Sequence, residues 1–303
     1  MRRLLVALLL AGCSSSSAPP AVAEPQDAAV AEPAPSEPDP LVVARPYDLY
    51  VPNGLSGPAP LVLAFHGYGD GDDGAKLEKF FKLRAVADAE KFLYVAPDGT
   101  KDKAGERFWN GTDACCDLFK SKVDDVAYIR ALVTDVGKRH AVDPKRVYAV
   151  GLSGGAFFVH RLACDAADVF AGVVSMSGAA YAIPSKCKPT DGVAIAELHG
   201  EKDDVVKFEG SKGEPGLLAA EYPSAAETVS QWAKHDGCSG ALTEGGTVDM
   251  FTMPGQETKV ARYGDCQRGA VELWTIVGGP HAPLMSSGFG ATVWAFFAAH
   301  PKR

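Results

Sequence analysis

Arg146-Val147-Tyr148-Ala149-Val150-Gly151-Leu152-Ser153-Gly154-Gly155-Ala156-Phe157-Phe158-Val159-His160 joins an apolar, β-branched run to a helical stretch through a G-x-S-x-G pentapeptide. Strand, tight turn and helix in that order decide the fold. A sharp turn between strand and helix lifts a serine hydroxyl into the open, and only residues without bulk can flank it closely. The pentapeptide by itself is weak, because Gly-Ser turns are common in loops; its position between a strand and a helix gives it force.

Outward from this turn the same alternation repeats. Leu61-Val62-Leu63-Ala64-Phe65, Phe92-Leu93-Tyr94-Val95-Ala96, Val173-Val174-Ser175-Met176, Val193-Ala194-Ile195-Ala196-Glu197-Leu198 and Leu273-Trp274-Thr275-Ile276-Val277 are short runs, each followed by turn or polar residues. Between the strands, Leu77, Phe80, Phe81, Val86 and Ala87 recur at helical spacing within Ala75 to Glu90, as do Val126, Ile129, Val133 and Val136 within Val123 to Arg139. Further helices are expected at Gly155 to Cys164, Ser224 to His235 and Ser287 to Ala299. The pattern predicts an α/β fold, a mostly parallel central sheet with helices on both faces.

In such sheets the loops at the carboxyl ends of the strands collect the functional groups. A serine is a poor nucleophile without a base, and the base needs an acid to orient it. The strand ending at Leu198 runs into His199-Gly200-Glu201-Lys202-Asp203-Asp204, and the one ending at Val277 into Gly278-Gly279-Pro280-His281. Ser153, Asp203 and His281 thus stand in the chain order nucleophile, acid, base, with Asp204 as the competing acid. The first strong strand ends in Phe65-His66-Gly67-Tyr68, where an oxyanion loop belongs. The backbone amides of Tyr68 and Gly154 are the expected donors, and His66 is expected to bond within its own loop.

The amino terminus carries a separate message. Met1-Arg2-Arg3, an apolar run from Leu4 to Leu10 and Ala11-Gly12-Cys13 have the form of an export signal. Leu10-Ala11-Gly12-Cys13 resembles a bacterial lipobox, which predicts residues 1–12 as a lipoprotein signal and lipidation at Cys13; a plain cleaved signal is the duller reading. Residues 13–40, rich in Ser, Ala, Pro and acids, read as a tether, and 41–303 as the folded domain. With 30 Lys and Arg against 38 Asp and Glu, a charge of -8 gives no reason to expect nucleic-acid binding. Past the signal no apolar run is long enough to span a bilayer, so the expected membrane contact is the lipid alone, on an outer membrane or cell surface.

Taken together, the His66-Gly67 loop, Trp109-Asn110 with Cys115-Cys116, Val123-Asp124-Asp125-Val126, the Gly151 to Gly155 turn, His199-Gly200 with Asp203, Asp236-Gly237-Cys238 and Gly278-Gly279 before His281 resemble a known family. It is the secreted α/β-hydrolase esterases of the polyhydroxybutyrate depolymerase, feruloyl esterase and acetylxylan esterase group, akin to carbohydrate esterase family 1. The resemblance runs from about Arg45 to the end. It implies a Ser-His-Asp esterase with no metal and no cofactor. The sequence departs from the family at Pro280 and Ala282-Pro283, where members often have Gly and Thr-Trp-Pro, and at Asp204, where they often have Pro. The first departure predicts a missing pocket wall.

Of seven cysteines, setting Cys13 aside leaves Cys115, Cys116, Cys164, Cys187, Cys238 and Cys266, an even set suited to disulfides outside the cytoplasm. The adjacent Cys115 and Cys116 are expected to take Cys164 and Cys187 in some order, leaving Cys238 with Cys266, so that each bridge closes a long loop. A thiol-metal site is the alternative. Asp124-Asp125 is expected to cap a helix rather than bind a cation, and Phe108-Trp109 to form either a ring platform or core. The expected function is hydrolysis of a small or oligomeric carboxylic ester, of hydroxyalkanoate, feruloyl or acetyl type. A serine peptidase of the same fold and a catalytically inert surface binding protein are the competing readings.

Overall fold

Apolar runs too short for helices become strands, and the amphipathic stretches between them become helices. The computed structural model describes residues 37, 39–69, 71–214, 218 and 220–303; the expected signal, Cys13 and the tether up to residue 36 lie outside them. In chain order the elements are α1 (Pro40–Ala44), β1 (Leu49–Tyr50), β2 (Ala59–Phe65), α2 (Gly74–Phe81), α3 (Leu83–Glu90), β3 (Leu93–Val95) and a small ladder of β4 (Thr100–Lys101) with β5 (Arg107–Phe108). Then follow α4 (Asp125–Arg139), β6 (Val142–Leu152), α5 (Gly154–Asp165), β7 (Gly172–Met176), β8 (Ala194–Gly200) and a second ladder of β9 (Ser211–Lys212) with β10 (Glu221–Tyr222). The chain ends with α6 (Ala225–Asp236), β11 (Leu242–Val248), β12 (Thr258–Tyr263), β13 (Val271–Ile276) and α7 (Gly288–Ala299).

A nine-stranded sheet has the order β1-β3-β2-β6-β7-β8-β13-β12-β11. From β3 to β13 the neighbours are parallel. The fold is the expected mostly parallel sheet, with antiparallel strands added at both edges, β1 on β3 and β12 and β11 beyond β13.

Side chains alternate between two cores, as the two-residue period of a strand requires. Leu61, Leu63, Phe65, Val147, Ala149, Val173, Ile195 and Leu273 pack with Ile129 and Leu132 of α4, Phe158 and Leu162 of α5 and Val229 and Trp232 of α6. Val62, Ala64, Tyr148, Val150, Val174, Ala196, Leu198 and Trp274 pack on the opposite side with Leu77, Phe81, Leu83, Phe289 and Phe297.

Three details depart from the sequence reading. The helix expected from Ala75 to Glu90 is broken at Lys82, whose φ of 56° is left-handed and whose amide closes α2 on the Glu78 carbonyl. The break re-aims the chain so that Phe81 and Leu83 are both buried. Helix α1 starts at Pro40 with Asp39 accepting from Leu41 N, one residue before the expected domain start. The third departure concerns the cysteines. Cys164 at the end of α5 meets Cys187 with Cα atoms 5.2 Å apart, and Cys238 meets Cys266. Cys115 and Cys116 are bonded to each other, so the separate long-range partners expected for them are wrong. The geometry of the first pair explains this: it is within ordinary bridging range and leaves the adjacent cysteines, buried with Phe108, Phe157 and Tyr222, only one another.

Candidate active site

Strand β6 delivers Ser153 at the mouth of α5 in a backbone conformation that side chains rarely adopt, φ 55° and ψ -115°. Strain of this kind is worth about 1 to 3 kcal/mol and persists only where the surroundings enforce it. Two glycines do so. A Cβ on Gly155 would lie 2.1 Å from the Phe65 carbonyl oxygen, and one on Gly151 would lie 2.1 Å from the Gly155 oxygen. The turn is therefore pressed against the end of β2, and Ser153 N donates to the Met176 carbonyl at 2.9 Å on its other side.

The turn after β8 carries Asp203, the acid expected from the sequence. Asp203 Oδ1 accepts from the amides of Val205 at 2.9 Å and Val206 at 2.8 Å, and Oδ2 lies 2.7 Å from His281 Nδ1. Burial works against the charge, but hydrogen bonds to His199 and His281 outweigh it and hold the carboxyl well below the usual carboxylate range. Asp204 is exposed. His281 follows β13, its ring is 18% exposed, and its carbonyl accepts from Ser177 Oγ at 2.8 Å. Ser153 and His281 border one cavity of about 580 Å³, together with Tyr68, Phe80, Val205 and Ala282. A second recess of about 10 Å³ lies against Ser153, between Tyr68, Cys115, Cys116 and Leu218.

The loop after β2 carries Tyr68 to the same place. A Cβ on Gly154 would lie 3.2 Å from Tyr68 N and 3.0 Å from Cys116 Sγ, so the two expected amides are close neighbours. As the first residue of α5, Gly154 has an amide that the helix itself cannot pair. His66 is buried and structural: its Nε2 accepts from Gly99 N at 2.9 Å, which leaves Nδ1 to donate to the Gly67 carbonyl at 2.7 Å. Desolvation lowers its affinity for a second proton. Tyr68 Oη donates to Asp102 at 2.8 Å, bracing the loop.

The other expectations sort plainly. Asp124 caps α4 by accepting from Ala127 N at 2.9 Å, and Asp125 is buried against Arg45 at 2.7 Å. Trp109 is core, stacked on Phe158 with 5.1 Å between centroids. No group of three or more His, Cys, Asp or Glu among the described residues is arranged to hold a metal ion. Among the same residues no helix is long and apolar enough to cross a membrane. Glu197, His199 and His160, none of which the sequence marks as a site residue, form a buried polar cluster directly behind Asp203. The signal for it was a glutamate inside the otherwise apolar run of β8.

The chain is similar in sequence to known esterases and depolymerases and in fold to an acetyl xylan esterase. A family model described as Esterase PHB depolymerase matches residues 45–187. Feruloyl esterase B of Piromyces equi is 29% identical over 256 residues, covering 81% of this chain and 43% of the relative. Poly(3-hydroxyalkanoate) depolymerase C of Paucimonas lemoignei is 25% identical over 256 residues, covering 80% and 59%. The chain thus spans about half the length of these curated relatives. The acetyl xylan esterase structure from Aspergillus awamori superposes with a TM-score of 0.59 at 17% identity, over 82% of this chain and 92% of that one, a likeness of fold. Over residues 45–187 the chain is thus similar to the Esterase PHB depolymerase family.

Proposed function

We propose that this chain is a serine esterase in which Ser153 attacks a carboxylic ester, His281 carries the proton and Asp203 holds His281. The observation that carries the reading is the 2.7 Å contact between Asp203 and His281 at the edge of the cavity that Ser153 shares. Asp203 accepts the Nδ1 hydrogen, which leaves Nε2 free to take the serine proton. The tetrahedral oxyanion is stabilised by the amides of Tyr68 and Gly154, each worth about 3 kcal/mol of barrier. Collapse expels the alcohol with the proton from His281 and leaves an acyl-enzyme, and water activated by the same histidine releases the acid.

The substrates are esters of the hydroxyalkanoate, feruloyl or acetyl type, a reading supported by the names of the relatives. The enzyme is exported and held to its membrane through a lipid on Cys13, a reading supported by the Leu10-Ala11-Gly12-Cys13 sequence. The test is labelling by a fluorophosphonate and turnover of p-nitrophenyl esters, followed by feruloyl, acetyl-xylan and 3-hydroxybutyrate oligomer substrates. Wild-type protein should do both and Ser153→Ala neither. Equal behaviour of the two proteins overturns the reading.

A further inference from the structure

A file of buried polar side chains runs inward from His281, and its hydrogen-bond directions fix where the protons are. Trp232 Nε1 on α6 has only a hydrogen to give, and it points at His160 Nδ1 on α5 at 3.0 Å. That nitrogen is therefore the unprotonated one, and His160 Nε2 gives its hydrogen to Glu197 Oε2 at 2.9 Å. The other oxygen, Glu197 Oε1, lies 3.1 Å from His199 Nδ1. On the far side of the ring, His199 Nε2 faces the Val206 carbonyl at 2.8 Å and Asp203 Oδ2 at 3.4 Å.

Both nitrogens of His199 thus meet oxygens that accept. A neutral imidazole has one N–H and one lone pair, so it would turn a lone pair against an oxygen on one side. The side chains of His199, Glu197 and Asp203 are 1%, 0% and 0% exposed, which leaves such a clash unrelieved by bulk water. Two carboxylates that share a buried volume without a cation also drive one of them to take up a proton.

We infer that His199 is a standing imidazolium, a positioning residue that balances Glu197 and Asp203 and keeps Asp203 ionised and aimed at His281. The catalytic consequence rests on the triad proposed above; the charge state of His199 does not. Burial by itself would strip the ring of its proton, but hydrogen bonds to Asp203 and Glu197 reverse this and push the pKa up to about 9. The same bonds, from His160 and His199, hold Glu197 below its ordinary value against the cost of its burial. The titratable groups that face the three are His160 on Glu197 and His281 on Asp203; at the adjacent register positions stand the uncharged Ser175 of β7 beside Glu197 and Thr275 of β13 beside His199, and Phe208 meets the ring edge-on at 5.7 Å.

Two experiments decide the matter. In the uniformly labelled full chain, nitrogen NMR of the His199 ring at pH 8 should show both nitrogens protonated; a single protonated nitrogen overturns the inference whether or not the protein hydrolyses esters. In His199→Gln, the acid limb of kcat/KM for a p-nitrophenyl ester should move up by about one pH unit or more, with KM unchanged, because the cation that kept the carboxylates ionised is gone. A uniform loss of kcat with the limb in place would mark His199 as merely structural and also overturn the inference. Failure of the wild-type enzyme to turn over any ester, with both ring nitrogens protonated, would sink the esterase reading and leave the charge assignment intact.

Discussion

Replacing Asp203 by Asn exchanges one carboxylate oxygen for an amino group and turns an acceptor into a donor at the centre of the proposed triad. The asparagine oxygen keeps the two amides of Val205 and Val206, now met at 2.9 and 2.8 Å. Its amino group then occupies the place of Oδ2, facing His281 Nδ1 at 2.7 Å and His199 Nε2 at 3.4 Å. Donor meets donor on both. His281 escapes by carrying its proton on Nε2, where it can no longer receive one from Ser153. The corresponding change in a serine protease triad lowers kcat about 10⁴-fold, or about 5.5 kcal/mol of barrier. The same loss is expected here, in kcat and in the rate of fluorophosphonate labelling, with KM unchanged because Asp203 does not line the cavity that Ser153 borders. Asp204→Asn, at an exposed position, should leave kcat within about twofold. Steady-state turnover of p-nitrophenyl acetate by the three proteins is the assay. Retention of more than roughly a tenth of kcat by Asp203→Asn, or an equal fall in Asp204→Asn, refutes the assignment.

Further expectations concern stability. Asp236 is fully buried, and burial, opposed in part by Arg268, pushes its carboxyl up to about 7. The folded chain thus holds a proton from about pH 4 to 7 that the unfolded chain releases, so stability falls as pH rises through that window; Asp236→Asn should raise Tm at pH 8 and leave it nearly unchanged at pH 4 in calorimetry, and equal effects at the two pH values would contradict this. Removing Cys164 and Cys187, 23 residues apart, should cost about 3 kcal/mol of loop-closure entropy in urea titrations. The Cys115–Cys116 bridge closes no long loop, so replacing both by alanine should shift the urea midpoint less than loss of the Cys164–Cys187 bridge while changing kcat/KM, since Cys116 Sγ borders Gly154; the reverse pattern in the two variants would count against this reading. Gly155→Ala sets a methyl 2.1 Å from the Phe65 carbonyl and should cost roughly 3 kcal/mol, read from the same titrations; an unchanged midpoint would show that the turn can relax.

Strands covered on both faces betray themselves as unbroken apolar runs, which is why β2, β3, β6, β7, β8 and β13 were legible in the sequence. The antiparallel edge was not. Leu242-Thr243-Glu244-Gly245-Gly246-Thr247-Val248 is exposed along most of its length, carries two glycines and a register shift, and so lacks both an apolar run and a clean alternation. The residues of the proposed triad were legible because each stands just past a strand. The pairing of Cys115 with Cys116 was hidden because long-loop closure, the entropic argument for a bridge, favours distant partners and says nothing about neighbours. His160, Glu197 and His199 belong to two elements, α5 and β8, and are braced by a tryptophan on a third, α6. Only tertiary packing makes one cluster of them, although the glutamate within an apolar strand was a visible anomaly.

The contact of the 151–155 turn with the carbonyl of Phe65 has a consequence for how this protein can change. Ser153 and the amide of Gly154 are held largely by main chain against main chain, Gly155 on Phe65 and Gly151 on Gly155. Much of the wall of the cavity beside Ser153 comes from elsewhere, with Phe80 from α2, Val205 from the turn after β8 and Ala282 from the loop after β13. Substitutions in these peripheral segments can reshape the cavity while the backbone of the turn stays as it is.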